Sequence, residues 1–156
     1  MKRTLPLAAL LALLACAPAT AQEADKAVAR HLDTLGYTYE IDDDGDYRMV
    51  FDVEGDRTQL VYVRSTVEEF GSQQVREVWS PGYHSSTDAF PAAVANRLLE
   101  DSQDAKMGGW VKQQKVAMFV VKLDAAASAE ALSDAIDAAS RTADAIELEL
   151  TQQDEL

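Results

Sequence analysis

Residues 37–53 read YTYEIDDDGDYRMVFDV, and this stretch decides the fold. Tyr37, Tyr39 and Ile41 alternate with polar residues, and Tyr47, Met49, Phe51 and Val53 resume the same two-residue period after an acidic break. A period of two puts one side of an extended chain in a core and the other toward water. Between the two runs, Asp44-Gly45 suits the positive φ angles of a tight hairpin turn. The stretch is predicted to be a pair of antiparallel strands.

Upstream, Ala24, Val28, Leu32 and Leu35 recur at helical spacing, and Gly36 stands where a left-handed C-cap is wanted. A helix of about three turns thus runs straight into the first strand. His31 lies beside its apolar face as a packing residue. Downstream, Glu54-Gly55-Asp56 turns the chain into Thr58–Thr66, whose Leu60-Val61-Tyr62-Val63 centre is apolar on both faces. That pattern predicts a central strand with both sides covered. Phe70-Gly71-Ser72 makes a further turn, and Val75, Val78 and Trp79 mark a fourth strand closed by Pro81-Gly82.

Ser86 to Asp88 offer N-cap side chains to a second helix carrying Phe90, Val94 and Leu98. Beyond Gly108-Gly109, two more strands are predicted at Trp110-Val111 and Val116–Leu123. From Ser128 onward Leu132, Ile136, Ala139, Ala143, Ile146 and Leu150 form the apolar stripe of a long Ala-rich helix. The order is helix, three or four strands, helix, two strands, helix. Such an order belongs to the α+β class, with helices packed on an antiparallel sheet.

The first 21 residues, MKRTLPLAALLALLACAPATA, read as a signal peptide: Lys2 and Arg3, an apolar run from Leu5 to Ala15, and a small-x-small site at Ala19-Thr20-Ala21. The run falls short of the roughly 20 apolar residues that span a bilayer, so no transmembrane segment is expected. Residues 22–156 then form a single domain in the periplasm. Leu13-Leu14-Ala15-Cys16 also approximates a lipobox, which makes Cys16 a lipidation candidate and a membrane-tethered lipoprotein the alternative.

Cys16 is the only cysteine, so cleavage after Ala21 leaves a thiol-free chain with no disulfide, thiolate metal site or cysteine nucleophile. Without Lys2 and Arg3, 12 basic residues face 27 acidic ones, a net charge of −15. Phosphate backbones are repelled by such a surface, and nucleic-acid binding is not expected.

Three sets of residues are candidates for chemistry. Asp42, Asp44 and Asp46 occupy the first, third and fifth positions of an EF-hand-like loop, a candidate site for a divalent cation. Tyr47 stands where that loop needs glycine, and Val53 where it needs a bidentate glutamate. Ser80, His84, Ser85, Ser86 and Asp88 cluster in sequence, but no nucleophile elbow precedes these serines, and a polar loop accounts for them. Trp79, Tyr83 and Trp110 are candidates for protein binding, because Trp and Tyr are enriched at recognition surfaces. No constellation supplies a nucleophile, a base and an orienting group. No catalytic residue and no cofactor is assigned.

The first helix running into Leu35-Gly36-Tyr37, the Asp42 to Asp46 hairpin, the Thr58 to Arg64 strand, Asn96 in the second helix and the final Ala-rich helix together resemble the YbjN family of bacterial proteins. The resemblance covers most of residues 24 to 148. It implies a fold similar to that of type III secretion chaperones and a binding or sensory-regulatory role, with no agreed catalytic residues. The expectation is a non-catalytic exported module that binds another protein or a second copy of itself. The alternative is a small-ligand or cation-binding module using the Asp42 to Asp46 turn.

Overall fold

The computed structural model describes residues 22–154; the signal segment and Cys16 lie outside these. The described residues fold as an antiparallel sheet of six strands with three helices, an α+β architecture in the predicted order. Helix α1 is Lys26–Leu35, followed by β1 (Glu40–Ile41), β2 (Tyr47–Asp52), β3 (Thr58–Phe70) and β4 (Gln73–His84). Helix α2 (Ala92–Asp104), β5 (Gly109–Gln113), β6 (Val116–Asp124) and α3 (Ala129–Thr151) complete it. Across the sheet the strands lie in the order β1-β2-β3-β4-β6-β5.

Local chemistry sets the helix ends. Asp25 caps α1 by accepting a hydrogen bond from Ala27 N at 2.8 Å, and Gly36 closes it at φ +73°. Ser128 caps α3 in the same way through Ala131 N. The stripe of α3 that includes Leu132, Ala135, Ile136, Ala139 and Ala143 is buried. Small side chains let this helix lie close across β3, β4 and β6.

The main core lies between α1, α3 and one face of the sheet, with Val28 and Leu32 meeting Tyr47, Met49, Val61, Val63, Val78, Phe119 and Val121. A smaller core under α2 joins Leu98, Ala117 and Ile146 to Tyr83, Phe90 and Trp110.

Four details depart from the sequence reading. β1 is only two residues long, because Tyr37 and Tyr39 leave the ladder to pack edge-on against Phe51 and Tyr47. β4 runs through Pro81-Gly82 as far as His84. Proline is tolerated there because the register shifts between Pro81 and Tyr83, a bulge at which a ladder bond is lost in any case. A Cβ on Gly82 would fall 2.3 Å from the Trp110 ring, so this position must be glycine. The start of α2 has Pro91 at its N-cap with no side-chain cap, while the Ser85 and Thr87 hydroxyls donate to Ala89 O at 3.0 and 2.8 Å. Those hydroxyls order the loop, not the helix end. Finally, β3 is central but not covered on both sides. All of its fully buried residues, Gln59, Val61, Val63 and Ser65, have one parity.

Candidate functional site

The opposite parity of the sheet defines a face without a helix on it. Strand pairing aligns Val50 with Leu60, and Arg48 with Tyr62. It continues from Tyr62 to Trp79, from Trp79 to Val120, and from Val120 to Gly109. A parallel row joins Pro81, Met118 and Val111. Two adjacent apolar rows therefore cross this face. Met118 and Val120, at its centre, are 8% and 4% exposed, whereas Val50 and Val111, toward the rim, are 51% and 41% exposed. Beside Gly109, where no side chain stands next to Val120, a depression of about 310 Å³ opens.

Charge borders these rows in matched pairs. Arg64 lies 4.5 Å over the Trp79 ring and is paired with Asp46. Glu77 accepts from Trp79 Nε1 at 2.8 Å and meets Lys122 at 3.0 Å. On the outer strands Arg48 meets Glu40 at 3.2 Å. Each of these cations has a carboxylate beside it. The apolar surface left open to water on this face belongs to Val50 and Val111 and, in part, to Tyr62 and Trp79.

Of the three aromatic candidates, only Trp79 lies here. Trp110 faces the helices, where it packs edge-on against Phe119 at 5.4 Å and donates Nε1–H to Asp101 at 2.8 Å. Tyr83 packs against Phe90 at 5.7 Å in the smaller core. The residues that the sequence reading missed are Tyr62, Leu60, Met118 and Val120. For Leu60 and Tyr62 the signal is the two-sided apolar centre of β3, which a strand covered twice would equally show; for Met118 and Val120 it is the unbroken apolar run of β6.

The acidic turn is built for folding. Asp42 Oδ1 accepts N–H bonds from Asp44 and Asp46 at 3.0 and 2.9 Å, an arrangement that shapes the turn locally. Asp46 is 4% exposed; its Oδ1 accepts from Ser65 N at 2.7 Å and its other oxygen pairs with Arg64. Among the described residues no group of three or more His, Cys, Asp or Glu converges to hold a metal ion. Gly45 has φ +80°, and a Cβ there would meet Gln22 O at 2.2 Å, so the chain entering α1 lies directly on this turn.

Ser65 and Arg76 join the turn to the helix. Asp25 N donates to Ser65 Oγ, whose hydroxyl donates to Gly45 O, while Arg76 pairs with Asp25 and donates to the carbonyls of Arg64 and Ser65. Arg76 is only 4% exposed. Burial pushes the Asp25 carboxyl up, but the Ala27 N–H and the Arg76 guanidinium outweigh it and hold the group below the usual aspartate value. Asp46 is shifted the other way, its burial outweighing the Ser65 N–H and Arg64.

A group with a lowered folded pKa adds stability that is present above its unfolded pKa and lost as pH falls through the folded one. The Asp25→Asn variant is therefore expected to lose less stability than the parent as the pH falls below about 4. Urea titrations at neutral and acidic pH measure the difference; equal losses in both proteins would remove Asp25 from the acid response.

Ser80, inside β4, and Ser85 are engaged structurally. Ser80 Oγ donates to Leu60 O at 2.7 Å and accepts from Gln59 Nε2 at 2.9 Å. No helix among the described residues is long and apolar enough to cross a bilayer. The fold and face define a class, an α+β domain with helices on one side of its sheet and an open apolar face on the other. Neither a scan against protein-family models nor a search of curated proteins finds a match to this chain.

Proposed function

We propose that the chain is a non-catalytic, exported envelope module that binds a protein through the open face of its sheet, a role in keeping with its resemblance to the YbjN family. The observation that carries this reading is the pair of apolar rows centred on Tyr62, Trp79, Met118 and Val120, bordered by matched ion pairs. The area a partner would remove from water, at about 25 cal/mol per Å², lies on Tyr62, Trp79, Val50 and Val111, because Met118 and Val120 are already packed under their neighbours. The second reading, a cation site at Asp42 to Asp46, has less support, because the Asp46 carboxylate already serves Ser65 N and Arg64.

The signal segment supports release into the periplasm after Ala21, with a tether at Cys16 as the alternative. Mass spectrometry of the mature N-terminus separates them: a peptide beginning at Gln22 establishes release, and an acylated Cys16 establishes the tether.

The binding reading is tested by placing a photocrosslinking side chain at Tyr62 in the envelope of living cells, with a second at Leu99 on α2 as control. Residue 62 is expected to give a discrete crosslinked product, either to another protein or to a second copy, and a Trp79→Ala change is expected to reduce it at least fivefold. Equal yields from both positions, or no effect of Trp79→Ala, would sink the open face as the binding surface.

A further inference from the structure

The β3–β4 hairpin extends past its neighbours. β2 begins beside Val63 and β6 ends beside Val75, so the last rungs, Glu69 with Gln74 and Phe70 with Gln73, have no strand on either side. Gly71, at φ +61°, closes the hairpin in a tight turn. Arg76 is buried on the helix side and pairs with Val67, which places Glu68 and Phe70 on the opposite side, that of Tyr62 and Trp79. Phe70 is 82% exposed, more than any other large apolar residue described. A short arm thus holds an aromatic ring out beside the open face.

At the far edge of the same face, the depression of about 310 Å³ beside Gly109 is bounded by Gly108, Val111, Val120 and Lys122. An apolar cavity of about 150 Å³ is enough to hold benzene, so a phenyl ring has room here. Lys122 is the only charged residue lining it, and its amine, already 3.0 Å from Glu77, is mostly exposed with further donors free. The chain therefore carries an aromatic ring with a carboxylate two residues before it, and an apolar depression with a cation at its border. The two lie on β3 and β5, three strands apart, a gap of about 14 Å that no phenylalanine side chain bridges. Phe70 cannot fill the depression of its own chain.

We infer that the occupant of the open face is a second copy of this chain, with Phe70 of each copy seated in the depression beside Gly109 of the other. This rests on the binding reading above and names its partner. A two-fold axis lying between the two sheets, midway between ring and depression, seats both rings at once, and a contact of that kind closes on itself. Glu68 of one copy then stands beside Lys122 of the other. Area points the same way. Five strands about 4.8 Å apart, each about five residues long at about 3.4 Å per residue, present roughly 400 Å², half of the about 800 Å² that each partner buries in a standard interface. The flat face alone falls short, and the projecting arm with the depression that receives it adds to the contact on both copies. A partner that lay only on the sheet would leave Phe70 in water.

The test is sedimentation equilibrium of the protein purified from the envelope. A dimer with a Kd of about 10 μM is expected. Phe70→Ser and Val111→Glu, both at exposed positions, are each expected to weaken it at least tenfold while leaving the melting temperature of the monomer unchanged. Mixed together, the two variants are expected to associate more tightly than either does alone, because one still has the depression and the other still has the ring, which leaves one seat of the two intact. A Phe70→Ser protein that dimerises like the parent, or a mixture no tighter than its components, would overturn the inference. The two readings fail separately. Equal crosslinking at residues 62 and 99 rejects the open face and this seat with it, whereas a protein that is monomeric at about 200 μM, yet crosslinks through residue 62 to another protein, rejects only the second copy as occupant.

Discussion

Replacing Phe119 by alanine is expected to destabilise the domain by about 4 kcal/mol, a large part of the 5–15 kcal/mol that holds an ordinary domain folded. Phe119 lies in β6 with no exposed surface and is a member of the main core. Its ring meets Trp110 edge-on at 5.4 Å, and through Trp110 it borders the smaller core under α2. Truncation removes the transfer free energy of six ring carbons and leaves a void between two cores. Neighbouring strands constrain collapse into that void: Phe119 pairs with Ser80 on one side and Trp110 on the other. Urea unfolding followed by tryptophan emission reads the change directly. Phe119→Leu, which keeps most of the volume, is expected to cost less than half as much, and a loss below about 1.5 kcal/mol for the alanine variant would show that the two cores do not depend on this ring.

Arg76→Ala is expected to cost about 3 kcal/mol and to lower the melting temperature by about 10 °C. Arg76 is the buried link of the network joining the start of α1 to the acidic turn and to β3. Its removal takes the donor from Arg64 O and Ser65 O and leaves Asp25 without its counter-charge. Losing one partner of a buried pair costs more than the pair is worth, because the group left behind is desolvated and unanswered. Asp25 is 31% exposed at its side chain, so water recovers part of the loss and the value falls at the lower end of the range for buried pairs. Arg76→Met, which keeps the stem, is expected to be nearly as damaging, since polar partners and not packing volume are what is lost. Full stability in Arg76→Met would transfer the role from the charge to the stem.

The elements most legible in the sequence are those whose signal is local. Gly36 acts where a positive φ must act, and the stripe of α3 follows from helical spacing alone. The β2 strand follows from alternation, and β3 from its continuous apolar centre. The open face was illegible because alternation separates two sides of a strand without saying what covers either. Leu60 and Tyr62 share with Val61 and Val63 an apolar character that a covered strand would equally show. Asp46 illustrates the same limit for charge: three neighbouring aspartates look alike in sequence, and only the position of Ser65 and Arg64 across the hairpin turns one of them inward.

The separation of the aromatic candidates has a sharper cause. Trp79 and Tyr83 are four residues apart, and in an unbroken strand they would share a face. The extra residue at the Pro81–Tyr83 bulge reverses the parity, so Trp79 remains on the open side while Tyr83 turns toward Phe90 under α2.

By itself the sequence determined the α+β order, the Gly36 C-cap of α1, the turns at Gly45, Gly55 and Gly71, the export address of residues 1–21 as an expectation, and the scarcity of thiol chemistry, because each depends on residues close together in the chain. Tertiary structure alone decided which sheet face the helices cover, which aspartate is buried, and which aromatic lies on the uncovered face. Those outcomes depend on strand register and on contacts such as Arg57 with Asp144 and Arg76 with Asp25, formed between residues 87 and 51 positions apart. No local pattern encodes a distance of that kind; it exists only once the sheet has assembled and α3 has closed over one side of it.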